Sequence, residues 1–355
     1  MPQRKVSNNT EKLSDQVKKS TENKSEEEDR SFQPYEGNLE KVISTGSTLL
    51  DLAISGGRIK GGGIPAGIIV EIFGQSSSGK TVLLSEIAGC VQRKNGEVMF
   101  YDPEARLNEQ FASMFGLNIE TALYERPDKV PDIFKPIHKW NPKNQEVVNG
   151  IFADSLAALS TDLEMDNEEG DKMGMRRARE FSEWLRKTCR VLANNDFLMV
   201  CSNQVRETGN TFGAKYQSPG GQAIGFYSTI RLKTEMKKKV KEEDTVENAK
   251  ESRIVGVKSE VEVYKNSTWK PYRTAPIYIY YDYGIDNIRA NLQYIKDHSD
   301  KNYYTIGGEK LYNSMEKSIQ KVEENNWEDK LEKEVIEIWE KVESHFEVKR
   351  KPKKR

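Results

Sequence analysis

The sequence predicts an α/β fold, with a mainly parallel central sheet flanked by helices, on three observations. A phosphate-binding octet sits between an apolar strand and a helix, further short apolar runs each end in a carboxylate or an amide, and helical segments separate those runs. In parallel α/β sheets ligands gather outside the carboxyl ends of the strands, so polar residues at several strand ends describe one site.

The first element is a buried strand at residues 68–73, followed by a helix at 82–88. Between them, Gly74-Gln75-Ser76-Ser77-Ser78-Gly79-Lys80-Thr81 fits G-x-x-x-x-G-K-[ST] at every fixed position. The glycines let backbone N–H groups approach phosphates, and the helix N-terminus adds a favourable dipole. Lys80 reaches the outer phosphates and the Thr81 hydroxyl is placed for Mg²⁺. This pattern implies a bound nucleoside triphosphate and leaves its use open.

A second strand, 97–101, ends in Asp102-Pro103-Glu104, and either carboxylate stands where it can orient water toward a γ-phosphate. A third, 147–153, ends in Asp154-Ser155, the usual form of the Mg²⁺-coordinating carboxylate in phosphate-loop enzymes. A fourth, 197–202, ends in Asn203-Gln204, an amide suited to sensing the γ-phosphate. Irregular segments at 164–174 and 205–221 leave the same side of the sheet. The helix after the first carries Arg176, Arg177, Arg179, Arg186, Lys187 and Arg190, with Phe181, Trp184, Leu185 and Leu192 for the core. Two long loops beside a basic helix imply a nucleic-acid channel.

The formal net charge of −1 conceals strong local asymmetry. Residues 1–35 are expected to form a charged, disordered arm, since the first 30 hold 14 charged side chains and four apolar ones. The core is expected over 36–290, with a charged insertion at 235–253, read as a solvated insertion or exposed helix because 12 of its 19 residues are charged. A small region follows at 291–348, where Leu331, Val335, Ile338 and Val342 recur at helical spacing. Residues 349–355 form a basic tail. No 18-residue apolar run or apolar leader is present, and three cysteines lack paired spacing, so a cytoplasmic protein without membrane contact is expected.

Taken together, Ile43-Ser44-Thr45-Gly46-Ser47, the run from Gly67 to Gly74, the octet, Asp154-Ser155-Leu156-Ala157-Ala158-Leu159, Asn203-Gln204 and Gly220-Gly221-Gln222-Ala223 resemble the bacterial RecA recombinases over about residues 40–290. The resemblance implies a DNA-dependent ATPase that uses ATP and Mg²⁺, forms a homo-oligomeric filament on single-stranded DNA, and pairs it with double-stranded DNA for strand exchange. It implies that Glu104, not Asp102, is the catalytic carboxylate, that Gln204 couples the γ-phosphate to the second DNA loop, and that Asn108 and Phe111 lie around the adenine. Met173 and Phe212 fall where DNA or a neighbouring subunit is contacted, and Arg179, Arg186, Arg206, Gly220 and Gly221 complete the expected DNA-binding set. Lys265 matches a lysine that enters the neighbouring subunit's ATP site. The family's second lysine is here Ser267, the bulky aliphatic group of the second loop is missing from Glu207-Thr208-Gly209-Asn210, and the basic tail replaces an acidic one. A ring-forming ATPase without strand exchange, or a DNA-binding accessory module with a weak ATP site, are the alternatives.

Overall fold

The computed structural model describes residues 36–160, 173–204, 206–207, 216–217, 223–246 and 249–350. The expected N-terminal arm, both loop interiors with Phe212, Gly220 and Gly221, and the last five tail residues lie outside the described residues. The chain enters through β1 (Asn38–Ile43), α1 (Thr48–Ser55) and β2 (Ile64–Ala66), with β1 and β2 paired antiparallel. Then come β3 (Ile69–Gly74), α2 (Lys80–Arg93), β4 (Val98–Tyr101), α3 (Glu109–Met114), β5 (Leu123–Glu125), α4 (Val130–Ile137) and β6 (Gly150–Ala153). After α5 (Met173–Asn195) and β7 (Leu198–Gln204), two short strands, β8 (Arg206–Glu207) and β9 (Tyr216–Gln217), pair with each other and α6 (Ala223–Tyr227) follows. The remainder is β10 (Ile230–Val246), β11 (Ala249–Asn266), β12 (Thr274–Tyr280), β13 (Gly284–Ile285), α7 (Asn287–Asp297), a small hairpin of β14 (Thr305–Ile306) and β15 (Glu309–Lys310), α8 (Met315–Glu324) and α9 (Glu328–His345).

Nine strands form one sheet in the order β13-β12-β11-β10-β3-β7-β6-β4-β5. From β10 to β5 every neighbouring pair is parallel, and β11, β12 and β13 extend it antiparallel. Period-two alternation divides the core. Val70, Ile72, Phe100, Phe152 and Val200 face one layer with Leu83, Leu84 and Ile87 of α2, while Ile69, Met99, Ile151 and Met199 face another with Ile133, Phe134, Phe181 and Leu185 of α4 and α5.

The strand expected at 147–153 starts only at Gly150, because the Asn149 side chain holds the approach as a turn. Its Nδ2 donates to the carbonyls of Asn144 and Val147, and its Oδ1 accepts from the Glu97 amide. The strand expected at 197–202 runs two residues further, to Gln204, paired with Gly74. The described residues of the charged stretch at 235–253 are strand, not helix. β10 and β11 pair from Ile230↔Asn266 to Val246↔Ala249, so the ladder begun in the core satisfies the backbone, and charges on both faces stay in solvent. No helix among the described residues is long and apolar enough to cross a membrane.

In the C-terminal part, Leu331 and Val335 are buried as their spacing requires, and Trp339 joins them where Ile338 and Val342 are only half-buried. These side chains share one core with Leu49 and Leu52 of α1. Arg273 at the entry to β12 forms a two-pronged ion pair with Glu343, and its guanidinium lies 4.0 Å over the Trp269 ring.

In the first turn of α1, Asp51 accepts hydrogen bonds from the Ser44 and Thr45 hydroxyls and the Thr45 amide. Burial pushes its carboxyl up from 3.8 to about 7, against those three donors. Between these values the folded chain holds a proton that the unfolded chain has released. Stability therefore falls as pH rises through that window, by up to about 4 kcal/mol, and is flat above it. Urea unfolding at pH 5 and pH 8 checks this: Asp51→Asn is expected to remove most of the difference.

Candidate active site

The sheet order brings the polar strand ends together. β3, β7, β6 and β4 are consecutive neighbours, so Gly74, Gln204, Asp154 and Glu104 follow one another along the carboxyl edge. Gln204, Asp154 and Glu104 line a cleft of about 1030 Å³ with Ser76, Ser77, Gly79, Lys80, Thr81 and Phe111.

The octet makes the tight turn that its glycines permit. Gly79 starts α2 with φ +91°, a conformation that side chains disfavour, and an added Cβ there would meet Ile279 at 2.3 Å. Ser78 Oγ donates to the Gln75 carbonyl at 2.8 Å and shares a hydrogen bond with Thr234 Oγ1 at 2.6 Å, fixing the loop to β10. Lys80 Nζ donates to the carbonyls of Gly74 (3.1 Å) and Gln75 (2.7 Å). Burial lowers its pKa, with Asp154 and Glu104 pulling the other way.

Thr81 Oγ1 donates to Asp154 Oδ2 at 2.5 Å, and Ser202 Oγ donates to Asp154 Oδ1. Burial raises the Asp154 carboxyl, opposed by those two hydroxyls. Among the described residues no group of three or more His, Cys, Asp or Glu side chains stands ready to enclose a metal. One hydroxyl beside one carboxylate fits Mg²⁺, a cation that keeps waters and takes its remaining ligands from substrate phosphates.

Glu104 is bound on both oxygens. Oε1 accepts from Ser155 Oγ (2.7 Å) and Gln204 Nε2 (3.2 Å), and Oε2 pairs with Arg106 (2.8 Å). Asp102 is 1% exposed and accepts from the Leu107 amide (2.9 Å) and the Tyr124 hydroxyl (2.8 Å), so it shapes the turn and does not line the cleft. Behind Gln204, Asn203 Nδ2 donates to the fully buried Glu71 at 3.0 Å, and Glu71 also accepts from Arg231 Nε at 2.5 Å. This buried ion pair pins the strand end that carries Gln204.

Other expected residues fall further out. Asn108 caps α3, accepting from the Phe111 amide at 2.8 Å, and is not among the cleft-lining residues. Phe111 is 46% exposed and stacks on Phe115 at the cleft wall. Lys265 also stands outside the cleft, its Nζ donating to the carbonyls of Gly225 (3.1 Å) and Phe226 (3.0 Å) in α6. Met173 opens α5, Arg179 and Arg186 are exposed on it, and Arg206 opens β8.

Ser155, Ser202 and Arg106 complete the polar shell and had a signal in the sequence: each lies one or two positions from a strand-end residue already singled out. The wall of Met236, Val257, Ile279 and Tyr281 had none, since it comes from strands distant in the chain.

The family described as RecA N-terminal domain matches residues 34–286, which contain every residue lining the cleft. The chain belongs to the RecA family. This RecA-family chain is 37% identical over 248 residues to Protein RecA of Thermus thermophilus, which covers 70% of this chain and 69% of that one. Against Protein RecA of Borrelia hermsii the identity is 33% over 302 residues, 83% of this chain and 81% of the relative. Protein RecA of Thermus aquaticus is 35% identical over 248 residues, with 70% and 69% covered. Membership carries the general character of a RecA-type recombinase that binds ATP and DNA.

Proposed function

We propose that this chain is a DNA-dependent ATPase that assembles as an ATP-bound filament on single-stranded DNA and promotes homologous pairing and strand exchange. The observation that carries the proposal is the 3.2 Å hydrogen bond from Gln204 Nε2 to Glu104 Oε1. It ties the cleft carboxylate to the residue from which the chain enters the segment expected to bind DNA.

In this scheme the backbone of Ser76 to Gly79 cradles the phosphates, and Lys80 exchanges its two carbonyl partners for phosphate oxygens. Thr81 and Asp154 would hold Mg²⁺, which supplies charge neutralisation at the phosphates. Glu104 orients a water and takes its proton at a carboxylate oxygen. Gln204 then chooses between Glu104 and the γ-phosphate, which makes the end of β7 responsive to the nucleotide. Lys265 acts from one subunit on the neighbour's site, so that turnover requires assembly.

Steady-state ATP turnover of the full chain, with and without single-stranded DNA, tests the proposal. A rise on adding DNA that Lys80→Ala abolishes is the expected result; turnover indifferent to DNA would sink it.

A further inference from the structure

We infer that Lys239 is a nucleotide-contacting residue, a second cation that the cleft offers in cis to the polyphosphate. The inference rests on the nucleotide reading of the cleft and adds a residue from the charged hairpin. β10 pairs with β3 only as far as Thr234↔Gly74. Everything beyond Thr234 projects past the carboxyl edge of the sheet, on the side where the octet lies, by roughly 3.3 Å per residue.

Which lysine of that projection faces the cleft is decided by a bulge. Leu232 and Thr234 are buried on the octet's side, and Met236 follows them into the cleft wall. Simple alternation would next present Lys238 there. However, the register passes from Met236↔Ser259 to Lys238↔Lys258, which leaves Lys237 as an extra residue. An extra residue reverses the alternation, as bulges beside functional sites do when they re-aim a side chain. Lys239 therefore takes the cleft face, opposite Val257, which is itself opposite Ile279. All three line the cleft, and Ile279 is the side chain against Gly79 at the start of α2.

Charge separates Lys239 from the bulged Lys237. Lys237 is neutralised by Glu235 (3.0 Å) and Glu260 (3.2 Å). Lys239 is exposed and has no ion pair or hydrogen bond among the described residues. Of the other cleft cations, Lys80 is held by the loop carbonyls and Arg106 by Glu104. Lys239 is thus a cleft cation without an ion pair among the described residues, although Asp282 lines the same cleft, and a free ammonium there suits a polyanion.

Equilibrium binding of a fluorescent ATP analogue to the full chain tests the assignment, with folding followed by circular dichroism. Lys239→Gln is expected to weaken binding by roughly tenfold at low salt, with a smaller loss at high salt where the contact is screened. Lys239→Arg should retain most of the affinity and Lys238→Gln all of it. Equal affinities for wild type and Lys239→Gln, or equal losses for Lys238→Gln and Lys239→Gln, would overturn it. A folded wild-type chain without measurable nucleotide binding would overturn the cleft reading itself, and this inference with it.

Discussion

Replacing Glu104 by Gln is expected to slow ATP turnover by roughly 10²- to 10⁴-fold, the usual worth of a positioned general base, while nucleotide affinity changes little. The amide matches the carboxylate in shape and can still accept from Ser155 and Gln204, so the cleft should keep its form. What it loses is the basic oxygen and the ion pair with Arg106. Asp102 provides the control. Its carboxylate serves the Leu107 amide and the Tyr124 hydroxyl, so Asp102→Asn should lower the midpoint of urea unfolding more than the rate. Single-turnover hydrolysis and nucleotide titration on the same preparations read both outcomes. Glu104→Gln turning over within threefold of wild type would remove Glu104 from the chemistry.

Two inactive variants are expected to restore each other when mixed. Lys265→Ala should lose roughly 10³ to 10⁵ in turnover if its ammonium acts across the subunit boundary as other trans cations do, and Lys80→Ala should be inactive through its own cleft. In a mixed filament, an intact cleft on a Lys265→Ala subunit can face an intact Lys265 on a Lys80→Ala neighbour. With random mixing in a head-to-tail array, roughly a quarter of the contacts have that arrangement, so activity should return to about that fraction. Within a single subunit Lys265 bonds to two carbonyls of its own α6, and it must leave them to act elsewhere. A mixture as inactive as either variant alone would exclude a site shared in this way.

The parts of the candidate site legible in the sequence are those written locally at a strand end: the octet, Asp154, Gln204 and a carboxylate at 102 or 104. Their proximity could be expected from parallel topology, but their order along the edge could not, because it depends on β7 inserting between β3 and β6. The choice between Asp102 and Glu104 was likewise closed to local reading. A turn closed by the Ala105 amide on the Asp102 carbonyl buries one carboxylate and leaves the other facing the cleft. The charged hairpin reads from its sequence as a solvated insertion or exposed helix, and its strands go unseen because strands with solvent on both faces show no apolar alternation. Its bulge leaves no mark in composition at all.

The clasp between Arg273 and Glu343 bears on how the molecule comes apart. Trp269 packs against Trp339 at 5.6 Å, and it fills the space beside Gly57, where even a methyl group would lie 2.0 Å from the indole. With Leu331 and Val335 seated against Leu49 and Leu52, α9 is a keystone of the same cooperative unit as the nucleotide cleft. A chain shortened before Glu328 would lose Trp339 and Glu343 together, uncover the Trp269 indole and leave the half-buried Arg273 guanidinium without its carboxylate, so removing the final helix is expected to destabilise the core that carries the phosphate loop.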